Sequence, residues 1–565
     1  MGNSKSTTQE VDFVMMEGKN EYLALNYGTE GQESLHQTLR NDDEDEDFEV
    51  TPSQKTLVYV CAICSSLTSV LLGYDVGVMS GAILYIGEDL NMTTVQKEMV
   101  VGSLNVIAAF GGLIAGKVSD KLGRRPAIAL SCIIFMSGAL MSSLANTFNI
   151  LLIGRIITGV GCGCGFVVSP VYITEITPPA IRGRLVSLTD ICINLGILLG
   201  YMTSFACESL IPNDDLKWRA MLGLGIMPPV LILICLIGLP ESPRWLIGKG
   251  KIKEGKEVLE KVLSTQEEVD ETLKMIQKAV NDREHLSEPG WMEVLWPSDN
   301  VIKAAAFVGL GLGFWQQATG SEAAVYYSPT VLADAGITSR GALLLGTCLV
   351  GCFKLGGELI AMSLLDSIGR KPLFITSAVL STISLALLGL ALLLQWPAMP
   401  TLATLCMFMA SFSIGIGPLT FVVAAEVFPL HIRGQAVSIV VFVNRFLSGA
   451  IALSYLSIAE ALTPAGSFFA FAIISAISIF FYALCVPETK GKTLEQIAHD
   501  LASEFKLPDP DWAHEQSNLR NVITYPSSER LVSVLSSQRL VSAHSTEDFT
   551  SKGRLRRSSS NHSIY

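Results

Sequence analysis

Twelve mainly apolar stretches divide the chain, at 56–80, 98–117, 126–145, 150–172, 186–207, 219–239, 301–324, 341–364, 372–394, 401–424, 435–460 and 467–486. Each is about the 20 residues that an α-helix needs to cross hydrocarbon. The segments outside them are polar. Within 240–300 the pattern takes a helical period at Lys251–Leu263 and Val269–Val280. The charges Lys253, Glu254, Lys256, Glu257, Glu260 and Lys261 there predict short amphipathic helices on a membrane face. The reading is an all-α membrane protein: a disordered acidic tail (1–55), a six-helix bundle (56–239), a helical linker (240–300), a second six-helix bundle (301–486) and a Ser-rich tail (487–565).

The two halves repeat each other. Asp120-Lys-Leu-Gly-Arg124 recurs as Asp366-Ser-Ile-Gly-Arg370. Glu175, six residues, then Arg182-Gly183 recurs as Glu426, six residues, then Arg433-Gly434. Pro240-Glu241-Ser242 recurs as Pro487-Glu488-Thr489. The offsets are 246, 251 and 247 residues. Three charged signatures in one order, each beside an apolar segment, predict a duplicated bundle whose halves rock against each other.

Composition narrows the class. With 50% hydrophobic and 16% charged residues and a mean hydropathy of +0.45, the chain carries fewer charges than the roughly 25% of a soluble protein. The net charge of −12 belongs largely to the tails, where Asp42 to Asp47 is an unbroken acidic run. No basic surface suits nucleic acid. All twelve cysteines fall in apolar segments without a His cluster, so they read as buried thiols rather than metal ligands or disulfides. The first 50 residues lack the apolar core of a signal peptide, which leaves insertion to the first membrane helix. Lys and Arg gather after the second, fourth and sixth apolar stretches and at the matching places of the second half. The opposite loops hold only Lys97, Lys217 and Arg340. By the positive-inside rule the linker and both termini face the cytoplasm. Asn91, in the sequon Asn91-Met-Thr93, then faces outward as a glycosylation candidate.

Ionisable groups at membrane depth are costly and therefore candidates for function. Asp75, in Gly73-Tyr-Asp-Val-Gly77, and Arg155, in Gly154-Arg155, lie within the first and fourth stretches. A carboxylate that gains and loses an Arg partner as the bundle rocks is a proton carrier; a permanent strut between the two helices is the bland alternative. Asp120, Arg124, Arg125, Glu175, Arg182, Glu241, Arg244, Asp366, Arg370, Glu426, Arg433 and Glu488 read as charged latches on the cytoplasmic gate, or simply as determinants of topology. Gln316-Gln317 offers donors and acceptors together, which suits hydroxyl ligands. Asp190, Asn194, Asn444 and Arg445 are further polar groups in apolar runs. Lys354 and Glu358, one turn apart, are expected to pair with each other. No nucleophile–base set, metal cluster or nucleotide loop points to an enzyme or to a cofactor other than protons.

Together, Gly-Tyr-Asp75, Asp120-Lys-Leu-Gly-Arg-Arg125, Gly154-Arg155, Pro240-Glu-Ser-Pro-Arg244, Gln316-Gln317 and Pro487-Glu-Thr-Lys-Gly491 resemble the sugar porter family of the major facilitator superfamily across roughly 56–500. Within it the chain is most similar to plant-type polyol and monosaccharide proton symporters, through Ile193-Asn-Leu-Gly-Ile-Leu-Leu-Gly-Tyr201, the acids at 190 and 322, and Val441-Phe-Val-Asn444-Arg445. The resemblance implies two six-helix bundles and a central hexose- or polyol-sized site formed by Asp190, Gln316, Gln317, Glu322, Tyr326, Phe421, Asn444 and Arg445, with Asp75 coupling a proton. Phe421 stands where the family usually has Trp, and Glu322 is one methylene longer than the Asp of polyol-transporting relatives.

The expected function is alternating-access symport of protons with polyols or monosaccharides. A facilitator without proton coupling, or a transporter-like sugar sensor, are the alternatives. The expected partners are a sugar or polyol and the lipid bilayer. The plasma membrane is the first expectation for location and the vacuolar membrane the second. In the tails, Gly2 opens an N-myristoylation pattern. Ser533, Ser542 and Ser559 lie in basic contexts suited to a kinase or adaptor.

Overall fold

The computed structural model describes residues 52–285, 294, 296–297, 299–429 and 432–507. Gly2, the acidic run Asp42 to Asp47, Ser533, Ser542 and Ser559 lie outside the described residues. The described chain is helical almost throughout. The first half comprises α1 (Pro52–Asp89), α2 (Thr94–Leu122), α3 (Arg124–Ser143), α4 (Phe148–Ile176), α5 (Pro179–Leu210) and a sixth span split into α6 (Asp214–Leu224) and α7 (Met227–Gly238). The linker forms α8 (Pro243–Gly248), α9 (Ile252–Val262) and α10 (Gln266–His285). The second half comprises α11 (Asn300–Ala318), α12 (Ser321–Asp334), α13 (Arg340–Ile368), α14 (Arg370–Leu393), α15 (Ala398–Ile414), α16 (Ile416–Val427), α17 (Arg433–Leu462) and α18 (Pro464–Leu484), followed by α19 (Leu494–Glu504).

Among the described residues, eleven spans are long and apolar enough to cross a membrane. The remaining span of the twelve is α11–α12, which Gly320 breaks with φ +83°, a left-handed conformation costly for any side chain larger than glycine's. The sequence places a bend there. A second break, at Gly415, separates α15 from α16 within the stretch that hydropathy reads as one span. The linker helices fall close to the predicted amphipathic segments and bury Ile247, Leu259, Leu263, Val269 and Ile276 among themselves.

Helices in hydrocarbon gain little from burying apolar surface, so close approach through small residues does much of the packing. Gly73 and Gly77 of α1 face Gly196 and Gly200 of α5. A Cβ at Gly73 would lie 1.9 Å from the Ile193 carbonyl oxygen, and one at Gly196 2.5 Å from that of Val70. The halves meet in the same way between α2 and α17, where a Cβ at Gly102 would stand 2.8 Å from the Gly449 oxygen.

The charged repeats are repeated in space. Gly123 and Gly369 adopt matching turns, φ +106° and +102°. Beside each, one carboxylate caps the helix that starts there: Glu241 accepts from the Arg124 and Arg125 N–H at 3.0 and 3.2 Å, and Glu488 from those of Arg370 and Lys371 at 3.0 Å each. These N–H groups have no partner inside a helix.

The α1–α5 contact makes a direct prediction. Gly73→Val forces backbone apart and lowers stability by about 1–3 kcal/mol, read as a fall in thermal midpoint of the detergent-purified protein. Gly238→Ala, whose Cβ meets nothing within 4 Å, leaves the midpoint unchanged.

Candidate functional site

Asp75 and Arg155 meet inside the first half. The Arg155 Nη1 donates to both carboxylate oxygens, at 2.7 and 2.5 Å, and its Nε to the Val100 carbonyl at 3.0 Å. Both residues are buried, with exposures of 5% and 1%. The second guanidinium nitrogen, Nη2, has no partner among the described residues. The pair borders a cavity of about 250 Å³ with Tyr74, Phe135, Ser142 and Leu222, all from the first half. An ion pair so enclosed is held by the geometry of α1, α2 and α4, and removing either partner leaves an uncompensated charge.

A second cavity, about 630 Å³, lies between the halves. It is lined by Asp190, Gln316, Gln317, Glu322, Phe421 and Arg445 from the predicted set. The breaks in the helices shape it. Gln316, near the end of α11, donates through Nε2 to the carbonyls of Ile416 (3.3 Å) and Gly417 (2.6 Å), next to the Gly415 break. Its amide thus ties the end of α11 to the first turn of α16. The Glu322 Oε2 and the Gln317 Oε1 are buried without a hydrogen-bond partner among the described residues. Phe421 meets Phe166 of the first half edge-on, with centroids 6.3 Å apart, and the Arg445 guanidinium lies 5.8 Å from the Phe166 ring.

Two expected wall residues stand behind the wall. Asn444 is fully buried. Its Oδ1 accepts from Gln317 at 3.2 Å and from Arg445 at 3.0 and 2.7 Å, and its Nδ2 donates to the Gly313 carbonyl at 3.1 Å and to Gln316. A side chain with every polar atom engaged orients its neighbours; here it sets Gln316, Gln317 and Arg445. Tyr326 is likewise buried, and its hydroxyl accepts from Asn105 of α2 at 3.0 Å. It stands between the two centres, within electrostatic reach of Asp75 and Arg155 and of Glu322 and Arg445.

The expected Lys354–Glu358 pair is not made. Glu358 accepts instead from Asn194 of the other half, at 3.1 Å, and the Lys354 ammonium sits 5.1 Å from the Phe412 centroid. A helical spacing of four permits a pair but does not require one when a cavity lies between the two groups and water. Both residues line the central cavity.

The gate residues sort into two kinds. Arg124 forks onto Glu175 at 2.7 and 2.8 Å and also reaches Asp120 at 3.1 Å; Arg370 meets Glu426 at 3.4 Å. Arg182 and Arg433 do not pair with those acids. They donate to the carbonyls of Thr177 and Phe428, at the ends of the preceding helices, where cations favour the dipole. Arg125 donates to the Ile237 carbonyl at 3.1 Å, and Arg244 is exposed. Asp366 lies in α13 but outside the described side chains. Among the described residues, the ion pairs of the face that carries these charges stay within one half or its linker and tail segments. Asn91 is exposed in the turn between α1 and α2, on the opposite face.

On that opposite face the halves are tied together. Arg340 of α13 reaches Glu88 at 2.7 Å and Asp214 at 3.1 Å. Glu98 accepts from the backbone and side chain of Ser457 at 2.8 and 2.7 Å. Thr94 donates to Glu460 at 2.7 Å, and Tyr201 to the Val325 carbonyl at 2.7 Å. Sequence reasoning misses Glu98, Asn105 and Phe166. Glu98 starts an apolar run and so resembles a helix end. A lone amide or ring within such a run gives no signal until its partner across the interface is known.

Comparison with known proteins agrees with this architecture. Residues 61–501 match the family model described as sugar (and other) transporter. Arabidopsis thaliana proteins named probable polyol transporter 4 and polyol transporter 5 are 45% and 38% identical, over 78% and 81% of this chain and 84% and 88% of theirs. The solved structure of the proton:xylose symporter XylE superimposes with a TM-score of 0.68 at 26% identity, covering 79% of this chain and all of that one. An inward-open conformation of XylE from E. coli matches equally well, over 78% and 99% of the two chains. The fold and site define a major facilitator transporter that spans the membrane many times, not an enzyme. The chain belongs to the sugar transporter family.

The Glu488 cap makes stability depend on pH. Partial burial pushes this carboxyl up, but the N–H groups of Lys490, Arg370, Lys371 and Thr489 outweigh it and hold the group below the usual glutamate range. A depressed native pKa gives stability that is complete above the unfolded value, about 4.3, and is lost as pH falls through the native one. Glu488→Gln therefore lowers the thermal midpoint at pH 7, and the gap from wild type closes on acidification below pH of about 4. A gap that persists unchanged refutes the cap.

Proposed function

We propose that the protein carries linear polyols and monosaccharides together with protons, by alternating access. The observation that supports the reading best is the set of unpartnered buried acceptors on the central cavity wall, Glu322 Oε2 and Gln317 Oε1. Acceptors left bare call for a ligand that is rich in hydroxyl donors and uncharged. The carboxylates of Asp190 and Glu322 accept from several hydroxyls at once, while the Arg445 guanidinium gives donors. Phe421 offers an apolar ring against which a carbon chain or sugar face packs, without the N–H of a tryptophan. The names of the relatives, polyol transporters and a proton:xylose symporter, favour the same substrate class.

Asp75 is the proposed proton carrier. A proton taken by Asp75 from one side releases the Arg155 guanidinium. Tyr326, between the pair and the cavity, is the proposed link from protonation to the wall that holds substrate. The linker face, by its positive charge, is read as cytoplasmic, with both termini on the same side and the plasma membrane as the first location to test, the vacuolar membrane as the second. The structure is then closed outward and the cytoplasmic latches stand within their own halves. Asp120, Arg124, Glu175 and Glu241 hold one half, Arg370, Glu426 and Glu488 the other, and the two groups alternate with the outer ties of Arg340, Glu98 and Thr94.

The test is accumulation of tritiated sorbitol in proteoliposomes against an imposed pH gradient. Wild type concentrates the label above the outside level. Asp75→Asn loses accumulation but keeps downhill exchange, since its cavity is intact. Equal accumulation by the two proteins, or none by wild type with equal exchange, makes the chain a facilitator.

A further inference from the structure

The central cavity has a neighbour on its linker side. A second chamber, about 360 Å³, lies beneath it toward the linker face, bordered by Ser187, Met362, Leu365 and Pro418. The two chambers share two residues, Asp190 of α5 and Glu358 of α13. Because α13 runs from Arg340 to Ile368 at the linker face, Glu358 lies one turn nearer that face than Lys354.

We propose that Glu358 is a specificity-determining substrate ligand, which with Asp190 receives the far end of a linear polyol where the two chambers adjoin. The inference rests on the transport reading above and extends it to the length of the substrate.

Three observations carry it. First, Lys354 and Glu358 are not bound to each other. Among the described residues no ion pair within 4.0 Å joins Lys354 to a carboxylate, and it faces the Phe412 ring instead. Second, the Asn194 bond engages only the Glu358 Oε2. The Oε1 has no hydrogen-bond partner among the described residues and remains available to the chambers. An acid that is 3% exposed with one bare oxygen is an expensive strut and a serviceable hydroxyl acceptor. Third, the charges are ordered in depth. Lys354 lies within electrostatic reach of Glu322 and Arg445 as well as of Glu358, and Glu358 within reach of Asp190. Glu358 stands about 6 Å further along the helix axis than Lys354, so the two residues face different depths of the cavity.

An acyclic polyol carries a hydroxyl on every carbon, so a long one meets Glu322 and Glu358 together. A short one bound at Glu322 and Gln317 ends before Glu358. The Asn194–Glu358 bond also joins the halves. Transfer of Glu358 from Asn194 to a substrate hydroxyl loosens that tie as the polyol passes into the lower chamber.

The experiment is tracer uptake of sorbitol and of erythritol, of six and four carbons, by the full chain in a transport-deficient yeast, normalised to surface abundance. Glu358→Gln is expected to raise the half-saturating concentration of sorbitol about tenfold and that of erythritol by less than about twofold, the loss of one charge-assisted hydrogen bond. Glu358→Asp restores part of the sorbitol affinity. Parallel changes for both polyols would overturn the inference and make Glu358 a strut; no change for either would remove it from the path. Should Glu358→Gln not reach the surface, Glu358→Asp decides alone, because an unaltered sorbitol-to-erythritol ratio in that variant contradicts the proposal. Wild type that takes up neither polyol sinks the transport reading itself, a result distinct from each of these.

Discussion

A carboxylate and a guanidinium buried together within one half, Asp75 with Arg155, set the terms for the rest of this structure. Neither charge is tolerable alone at that depth. Their contact requires α1 and α4 to pack at a fixed offset, with Val100 of α2 supplying a third anchor. Among the described residues Asp75 is the one carboxylate that Arg155 meets. Leu72 and Val76, on the same helix, face the central cavity while Asp75 turns into its own half. The buried ion pair and the central cavity therefore lie on the two sides of one helix, and α1 is the element common to both.

Around that contact, the two halves behave as stiff bodies because their internal contacts are close and polar where they can be. Glycine pairs bring α1 against α5. Carboxylate caps fix the turns at Gly123 and Gly369. Between the halves, glycines bring α2 against α17 in the same way, but other contacts are looser. On the face away from the linker they are a few hydrogen bonds and ion pairs, most of them part-exposed, which salt and water weaken. Such ties separate at modest cost, as a rocking interface requires.

The sequence made much of this legible. Hydropathy located every span, and the offset between repeated signatures predicted a duplicated bundle whose charged turns superimpose. The Asp75–Arg155 pair was also readable, because two opposite charges in apolar helices have few other places to go. The cavity was readable in part. Gln316, Gln317, Glu322, Asp190, Phe421 and Arg445 line it, but Asn444 and Tyr326 stand one layer back, a distinction of a few ångströms that residue type does not encode. Lys354 and Glu358 show the limit most clearly. Their spacing fits an intrahelical pair, and only the cavity beside α13 and the amide of Asn194 on another helix explain why they part. Arg182 and Arg433 fail for a related reason: seven residues after an acid, each turns back to cap a carbonyl five residues earlier. The Gly415 break has its signal in Gly415-Ile-Gly417-Pro418, but hydropathy alone reads the stretch as one unbroken apolar run.

The account's central claim is that a proton and an uncharged substrate cross together on one set of moving helices. Its most direct test is the potential at which polyol-evoked current reverses in membranes holding fixed sorbitol gradients. One proton per neutral substrate predicts that this potential shifts by about 59 mV for each unit of imposed pH difference, and by half as much for each tenfold change in sorbitol ratio only if two protons move. A reversal potential indifferent to pH, or the absence of any current while sorbitol crosses, would contradict the claim.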